Sequence, residues 1–309
     1  MTGYILRRLA SLVPVVFGVV TAVFLMAHLI PGDPVDIMLG ETAQPAQKEA
    51  LRKALNLDKP LGEQYLLYLE GVIRGDLGTS IRTGRPVLEE ILRRFPATLE
   101  LAAGSIVVAL LIAFPLGIIA AVKKDTPADG ASLFFSLIGL SMPNFWLGPL
   151  LILLFSIKLN LLPVAGRGGL SHLILPSLTM GLGMSAILTR LLRSSLLDEF
   201  GQDYVKTALS KGLPRRRVLL VHVMKNSMIP VLTVMGLQFG ALLAGSIITE
   251  MIFSWPGIGY LTISAINNRD YPLVQGCVLF IALFYVLVNL LTDMAYGLFD
   301  PRIRYEKAE

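Results

Sequence analysis

The chain has 309 residues, of which 54% are hydrophobic and only 16% charged, with a formal net charge of +5. Soluble domains carry about 25% charged residues, so this little charge cannot coat a water-soluble body, and the long uncharged runs suit lipid instead. The basic residues sit between those runs and not on a basic domain, which excludes a nucleic-acid partner.

A helix needs about 20 apolar residues to cross the hydrocarbon core. Six segments qualify: Leu9–Ile30, Ala97–Val122, Ala131–Ile157, Leu173–Leu192, Met228–Thr249 and Pro272–Thr292. The first follows Arg7 and Arg8, is too long for a signal h-region and lacks a small-x-small cleavage site, so it reads as a retained span. Between the first two spans lies a long segment, Pro31 to Pro96, with nine Lys/Arg against ten Asp/Glu. It is too long for a mere connector. The fourth span contains Arg190, which with Arg193 can snorkel to an interface. Only helices hide their backbone polar groups unaided in lipid, so the expected fold is all-α with six transmembrane helices.

Orientation follows from the basic residues of short loops. Arg7 and Arg8, Lys123 and Lys124, the Arg190–Lys225 stretch, and Arg302, Arg304 and Lys307 share one side. The opposite short loops hold Lys158, Arg167 and Arg269. Both termini are therefore expected in the cytoplasm. The organisation reads as residues 1–30 for the N-terminus and first span, 31–96 external, 97–297 a five-helix core with a cytoplasmic loop at 196–227, and 298–309 a cytoplasmic tail.

Prolines interrupt the spans at Pro115, Pro143, Pro149 and Pro176. Such breaks fit ordinary bundle geometry or a substrate path, where neighbours or water satisfy the freed carbonyls. Polar Ser141 and Asn144 beside Pro143, and Gln238 in the fifth span, are the candidate path residues; hydrogen bonding between helices is the other reading of them. Glu250 and Asp293 lie near span ends and read as interfacial. Small residues, as in Gly181-Leu182-Gly183 and Gly236 through Gly245, suit close helix contact.

Catalytic signals are missing. His28, His172 and His222 are scattered without metal-ligand spacing, and no P-loop or nucleophile-elbow pattern occurs. Cys277 sits alone in an apolar run, so no disulfide or cysteine cluster forms within the chain. The chain reads as non-enzymatic, with no metal and no cofactor of its own.

The informative stretch is Gly201 to Pro214. Asp203 suits a helix start and Lys211 a helix end. Gly212 suits a left-handed cap, with Pro214 as a stop. This defines a short helix, Asp203 to Lys211, with Tyr204, Val205, Ala208 and Leu209 on one side and Lys206, Ser210 and Lys211 on the other. Such a helix can dock into a partner's groove or lie on the lipid interface.

Its Ala208-x-x-x-Gly212 core resembles the EAA loop of binding-protein-dependent ABC importer permeases. Tyr204-Val205-Lys206-Thr207-Ala208 and Lys211-Gly212 are similar to the peptide and nickel branch. So are Pro31-Gly32-Asp33-Pro34, Leu55 to Pro60, Gln64-Tyr65, Gly75 to Ser80, Pro96 to Leu101, Ser141 to Phe145, Trp255 to Gly259, Arg269 to Pro272 and Asp300 to Arg304. In order and at family spacing, they resemble the first permease of a dipeptide, oligopeptide, glutathione or nickel importer. The resemblance implies a type I ABC importer permease fold in a bacterial inner membrane. It implies a second homologous permease, two cytoplasmic P-loop ATPases and an external solute-binding protein as partners. It implies that Asp203, Tyr204, Val205, Thr207, Ala208, Lys211 and Gly212 couple to the ATPases. It also implies that Ser141, Pro143, Asn144 and Gln238 line the path, and that Trp255, Pro256 and Gly257 form an external gate or binding-protein contact. Di- or oligopeptide is the expected substrate, with nickel, a nickel chelate or glutathione as alternatives. An ion-coupled secondary transporter is disfavoured by the lack of an acid at the centre of any span. A membrane scaffold protein would share the hydropathy without transport.

Overall fold

The structure, a computed structural model, describes residues 2–29, 34–40, 43–54 and 56–299. Pro31-Gly32-Asp33, Leu55, the Asp300–Arg304 motif and the basic tail residues Arg302, Arg304 and Lys307 lie outside the described residues. Among the described residues the chain is helical, with one isolated bridge between Thr79 and Pro86. In chain order the helices are α1 Thr2–Leu29, α2 Pro34–Leu39, α3 Pro45–Ala54, α4 Leu61–Arg74, α5 Val87–Val122, α6 Pro127–Ser141 and α7 Asn144–Leu151. They continue with α8 Leu170–Phe200, α9 Asp203–Ser210, α10 Arg215–Arg217, α11 Met224–Gly245, α12 Ile247–Ile252, α13 Ile258–Asn267 and α14 Tyr271–Phe299. Two π-helical stretches, Ile152–Lys158 after α7 and Val218–Val223 before α11, widen the turns at those joints.

Four helical segments are long and apolar enough to cross a membrane: Val87–Val122, Leu170–Phe200, Arg215–Leu242 and Tyr271–Thr292. A fifth is a bent pair, α6 with Asn144–Lys158, turned by 101° at its break. α1 is continuous over 28 residues and contains the apolar stretch Ala10–Met26. The third expected span, Ala131–Ile157, is therefore not one kinked rod. The cause is local. A proline pushes its predecessor out of the helical region, and Met142 is extended at φ −96°, ψ 114°. Pro143 itself sits at φ −61°, ψ 140°, so two successive extended residues end α6. Pro149, by contrast, is absorbed inside α7.

The described residues form two compact units, residues 1–98 with 256–286 and residues 99–255 with 287–309. In the first, Val20 and Val23 of α1 pack with Tyr68, Leu69 and Val72 of α4 and with Leu279. A second cluster joins Val87 and Ile91 to Ile258, Leu261, Ala265, Leu273 and Cys277. Phe95 meets Phe280 and Phe284 edge-on, at ring separations of 5.2 and 4.7 Å. Asp270 is almost fully buried and ties the 79–86 turn to the start of α14.

In the second unit α8 is the central helix, the most buried of the four long spans. Its neighbours approach at small residues. A Cβ added to Gly139 of α6 would stand 2.5 Å from the carbonyl oxygen of Leu182. One added to Gly181 would stand 2.7 Å from the carbonyl oxygen of Ser105. Backbones this close gain dispersion contact that lipid cannot replace. Three buried hydroxyls of the unit return to their own helix: Ser105 donates to Leu101, Thr179 to Leu175 and Thr189 to Ser185, each to a carbonyl oxygen.

Candidate coupling site

The site begins where α8 ends. Gln202 takes an extended conformation ahead of α9, and Asp203 occupies the first turn, where its charge meets the positive end of the helix dipole. Gly212 has φ +81°, the left-handed value a side chain resists. Its N–H donates to Leu209 and that of Leu213 to Ala208, so the last carbonyls of α9 are satisfied. Pro214 then opens α10. A helix of 8 residues is marginal alone. What holds it is one apolar edge: Val205 and Ala208, at i and i+3, face the π-helical stretch Val218–Val223 and join the same apolar cluster as Leu192 and Leu196 of α8.

Val205 and Ala208 thus turn inward, 3% and 9% exposed, and cannot be the face offered to a partner. The sequence pattern had grouped them with Tyr204 and Leu209 on one side; the structure divides that side, because the chain's own helices take the most apolar edge. Outward stand Asp203, Tyr204, Lys206, Thr207, Leu209, Ser210, Lys211 and Gly212. Tyr204, Thr207 and Lys211, three and four residues apart, form one exposed stripe. Lys206 Nζ pairs with Asp203 Oδ1 at 2.9 Å across the helix surface, a contact worth little in water.

One bond fastens α9 to α8, and a second braces its acceptor from α11. The Tyr204 hydroxyl donates to Glu199 Oε2 at 2.5 Å. Asn226 Nδ2 reaches the same oxygen at 3.5 Å. Partial burial, and then the Glu199 carboxylate, push the Tyr204 hydroxyl above the usual tyrosine range. It therefore remains a neutral donor throughout the physiological range. Behind it, Ser227 Oγ donates to the Ser195 carbonyl at 3.2 Å, joining the start of α11 to the end of α8.

Other expected site residues fall elsewhere. Ser141, Pro143 and Asn144 gather at the elbow between α6 and α7; Ser141 is exposed and its hydroxyl donates to Leu137 O. Gln238 is half-buried on α11, and no hydrogen bond among the described residues links it to the elbow. Trp255 is fully buried, Gly257 is buried, and only Pro256 is half-exposed. Of this loop, Pro256 and the preceding Ser254 are the parts that reach the surface. The Ile258 N–H donates to Thr98 Oγ1, which fixes the start of α13.

Three features escaped the sequence reading. Glu250, read as interfacial, is fully buried and accepts a bond from Ser246 Oγ at 2.9 Å. Ser177 Oγ, Thr249 Oγ1 and Asn289 Oδ1 are buried without a partner among the described residues, the kind of group that bound water or a polar solute satisfies. Asp129 and Arg193 form a forked ion pair and not two independent loop charges. An acid in a first helical turn was visible for Asp129; its partner 64 residues away was not.

The fold is similar to that of solved ABC importers. Two inward-facing structures of the MetNI methionine ABC transporter superpose with TM-scores of 0.57 and 0.54, at 14% and 13% identity. Each match covers 68% of this chain and 96% of that one, and the likeness is one of fold. Sequence relatives are far nearer. The dipeptide transport system permease DppB of Escherichia coli is 44% identical over 339 residues, covering 99% of this chain and all of that one. The di/tripeptide permease DppB of Pseudomonas aeruginosa is 43% identical, and the glutathione permease GsiC of Escherichia coli 42%, with equal coverage. The model of the binding-protein-dependent transport system inner membrane component matches residues 113–305, and that of its N-terminal part matches residues 1–102. The chain belongs to this family of binding-protein-dependent transport system inner membrane components.

Proposed function

We propose that this chain is one of two membrane-spanning permeases of an ATP-driven importer of di- and oligopeptides. One observation carries the substrate class: identity of 44% runs the full length of a dipeptide permease and is not confined to one part. The chain would form half of the path, with a second homologous permease as the other half. Two cytoplasmic ATPases would grip the exposed stripe Tyr204, Thr207 and Lys211. An external binding protein would deliver substrate, and all catalysis would rest with the ATPases. Six spans with both termini in the cytoplasm complete the reading, α1 being the first, in a bacterial inner membrane. The 31–96 segment would stand outside, over the mouth of the path.

The mechanism follows from rigidity. α9 packs on the π-helical stretch Val218–Val223 and is tied to α8 by the Tyr204–Glu199 bond, so it moves as a lever and not as a loop. Closure of the ATPases would shift α9 and bias the bundle between inward and outward access. Val205 and Ala208 would support the lever from inside.

Glutathione is the second reading, because GsiC matches over the same extent at nearly the same identity. The test is co-purification and uptake with wild type beside Thr207→Glu, which puts a charge on the exposed stripe and leaves the packed edge intact. Two P-loop ATPases and a second permease should accompany the wild type, and Thr207→Glu should lose the ATPases or their uptake. Purification of the wild type alone, or full uptake by the variant, overturns the coupling assignment. Competition of labelled dipeptide uptake by glutathione and by nickel decides the substrate.

A further inference from the structure

The Asp129–Arg193 pair joins two helices that have different tasks. Asp129 lies in the first turn of α6, with its side chain 7% exposed. Arg193 lies on α8, seven residues before its last residue Phe200, and its side chain is 22% exposed. The contact is a parallel fork: Nε donates to Oδ1 at 2.8 Å and Nη2 to Oδ2 at 2.6 Å. Oδ2 also accepts the Asp125 N–H at 3.1 Å, which draws in the turn before α6, where Asp125 holds φ +60°. A bidentate guanidinium–carboxylate contact fixes angle as well as distance, which a lysine cannot do.

The same two helices touch again further along. Gly139 of α6 backs onto Leu182 of α8, close enough that a Cβ would meet the Leu182 carbonyl. From 129 to 139 and from 193 to 182 the two helices run in opposite directions over nearly equal lengths. They are thus pinned at both ends. One end of α8 carries α9, and the far end of α6 is the elbow at Met142 and Pro143.

From this geometry we infer that the Asp129–Arg193 pair is the positioning contact that makes α6, and with it the Pro143 elbow, follow the movement of the coupling helix. The inference rests on the coupling role of α9 proposed above. A displacement of α9 enters the last turns of α8, crosses to the first turn of α6 through the fork, and reaches the elbow along α6. Without the fork, the first turn of α6 could lag behind α8 and the helix could pivot about the Gly139–Leu182 contact. The ATPases would still bind and turn over, because the α9 surface is untouched, but substrate movement would no longer keep step.

The test uses the complete transporter with its partner permease, ATPases and binding protein in proteoliposomes, measuring dipeptide uptake and ATP hydrolysis together. Asp129→Asn keeps the shape and removes the charge; Arg193→Lys keeps the charge and removes the fork. In both, dipeptide moved per ATP hydrolysed should fall about tenfold, a typical size for a coupling contact, with assembly and hydrolysis retained. The charge-exchanged Asp129→Arg/Arg193→Asp double variant should recover part of that ratio. An unchanged ratio in both single variants overturns the inference. So does loss of assembly in Arg193→Lys, which would make the pair a mere structural brace, or a double variant whose loss is the sum of the singles. A wild-type complex without ATP-dependent uptake would overturn both this inference and the coupling role; uptake by wild type with unaffected variants overturns the inference alone.

Discussion

Asp270 stands one residue ahead of α14 and is 2% exposed. Its Oδ1 accepts the N–H groups of Ile81 at 3.2 Å and Leu273 at 3.4 Å, and its Oδ2 accepts the Ser80 hydroxyl at 2.5 Å. The bond from Leu273 caps the new helix, and the other two hold the 79–86 turn, whose register is set by the Thr79–Pro86 bridge. Removing a carboxylate strands buried donors that cost about 1–3 kcal/mol each when unpaired. Asp270→Ala should therefore lower the stability of this unit by about 3 kcal/mol, with Asp270→Asn in between. Trypsin should then cut faster after Arg82 than it does in the wild type, since the exposed turn would no longer be held in place. A variant with unchanged unfolding midpoint and unchanged cleavage would show that Asp270 does not hold the turn. Part of this was legible: an Asp followed by Tyr271-Pro272 is a local helix-start signal. Its bond to Ser80 was not, because residues 190 positions apart leave no local trace.

Helix packing in the second unit makes a sharper prediction, because two glycines on facing helices differ only in what lies opposite. A Cβ on Gly139 would meet the backbone of Leu182 at 2.5 Å, whereas one on Gly183 would meet only the Gly139 carbonyl oxygen at 3.7 Å, an ordinary contact. Gly139→Ala should destabilise by about 1–3 kcal/mol through overpacking. Gly183→Ala should be neutral or slightly stabilising, since alanine is the better helix former. Thermal unfolding of the two purified variants in detergent checks this, and equal midpoints would refute it. The Gly181-Leu182-Gly183 cluster had signalled close helix contact without saying which helix comes close. The same gap runs through the other elements. Pro143 announced a break, but only the pair of extended residues at Met142 and Pro143 sets a 101° turn. The edge of α9 was legible as apolar, yet periodicity names a face and not its partner, and it could not show that Val205 and Ala208 turn inward onto the 218–223 stretch. Arg193 looked free to snorkel because its anion lies in a different helix.

Orientation belongs to the whole chain. Arg190 and Arg193 lie in the last turns of α8 and Lys206, Lys211, Arg215, Arg216, Arg217 and Lys225 follow it, while Lys158 and Arg167 are the basic residues between α7 and α8. Each Lys or Arg costs about 3 kcal/mol at the centre of a bilayer. Moving the first group across is therefore far harder than moving the second, and α9 is expected on the ATP-containing side. The single cysteine, Cys277, is fully buried and can be replaced, which opens the chain to single-cysteine mapping. On a Cys277→Ala background, Glu49→Cys in the external segment should react with an impermeant thiol reagent in intact cells. Lys206→Cys on α9 should react only after permeabilisation, and less when the ATPases are co-expressed. Both positions are exposed in this chain, so a failure to react reports the membrane or a partner and not burial. The reverse pattern would put α9 where no ATPase can reach it and would remove the coupling site along with the orientation. Protection of Lys206→Cys by the ATPases on the expected side would tie the direction of the chain to its energy source in one measurement, since the same positive charges that fix the topology then flank the surface through which ATP acts.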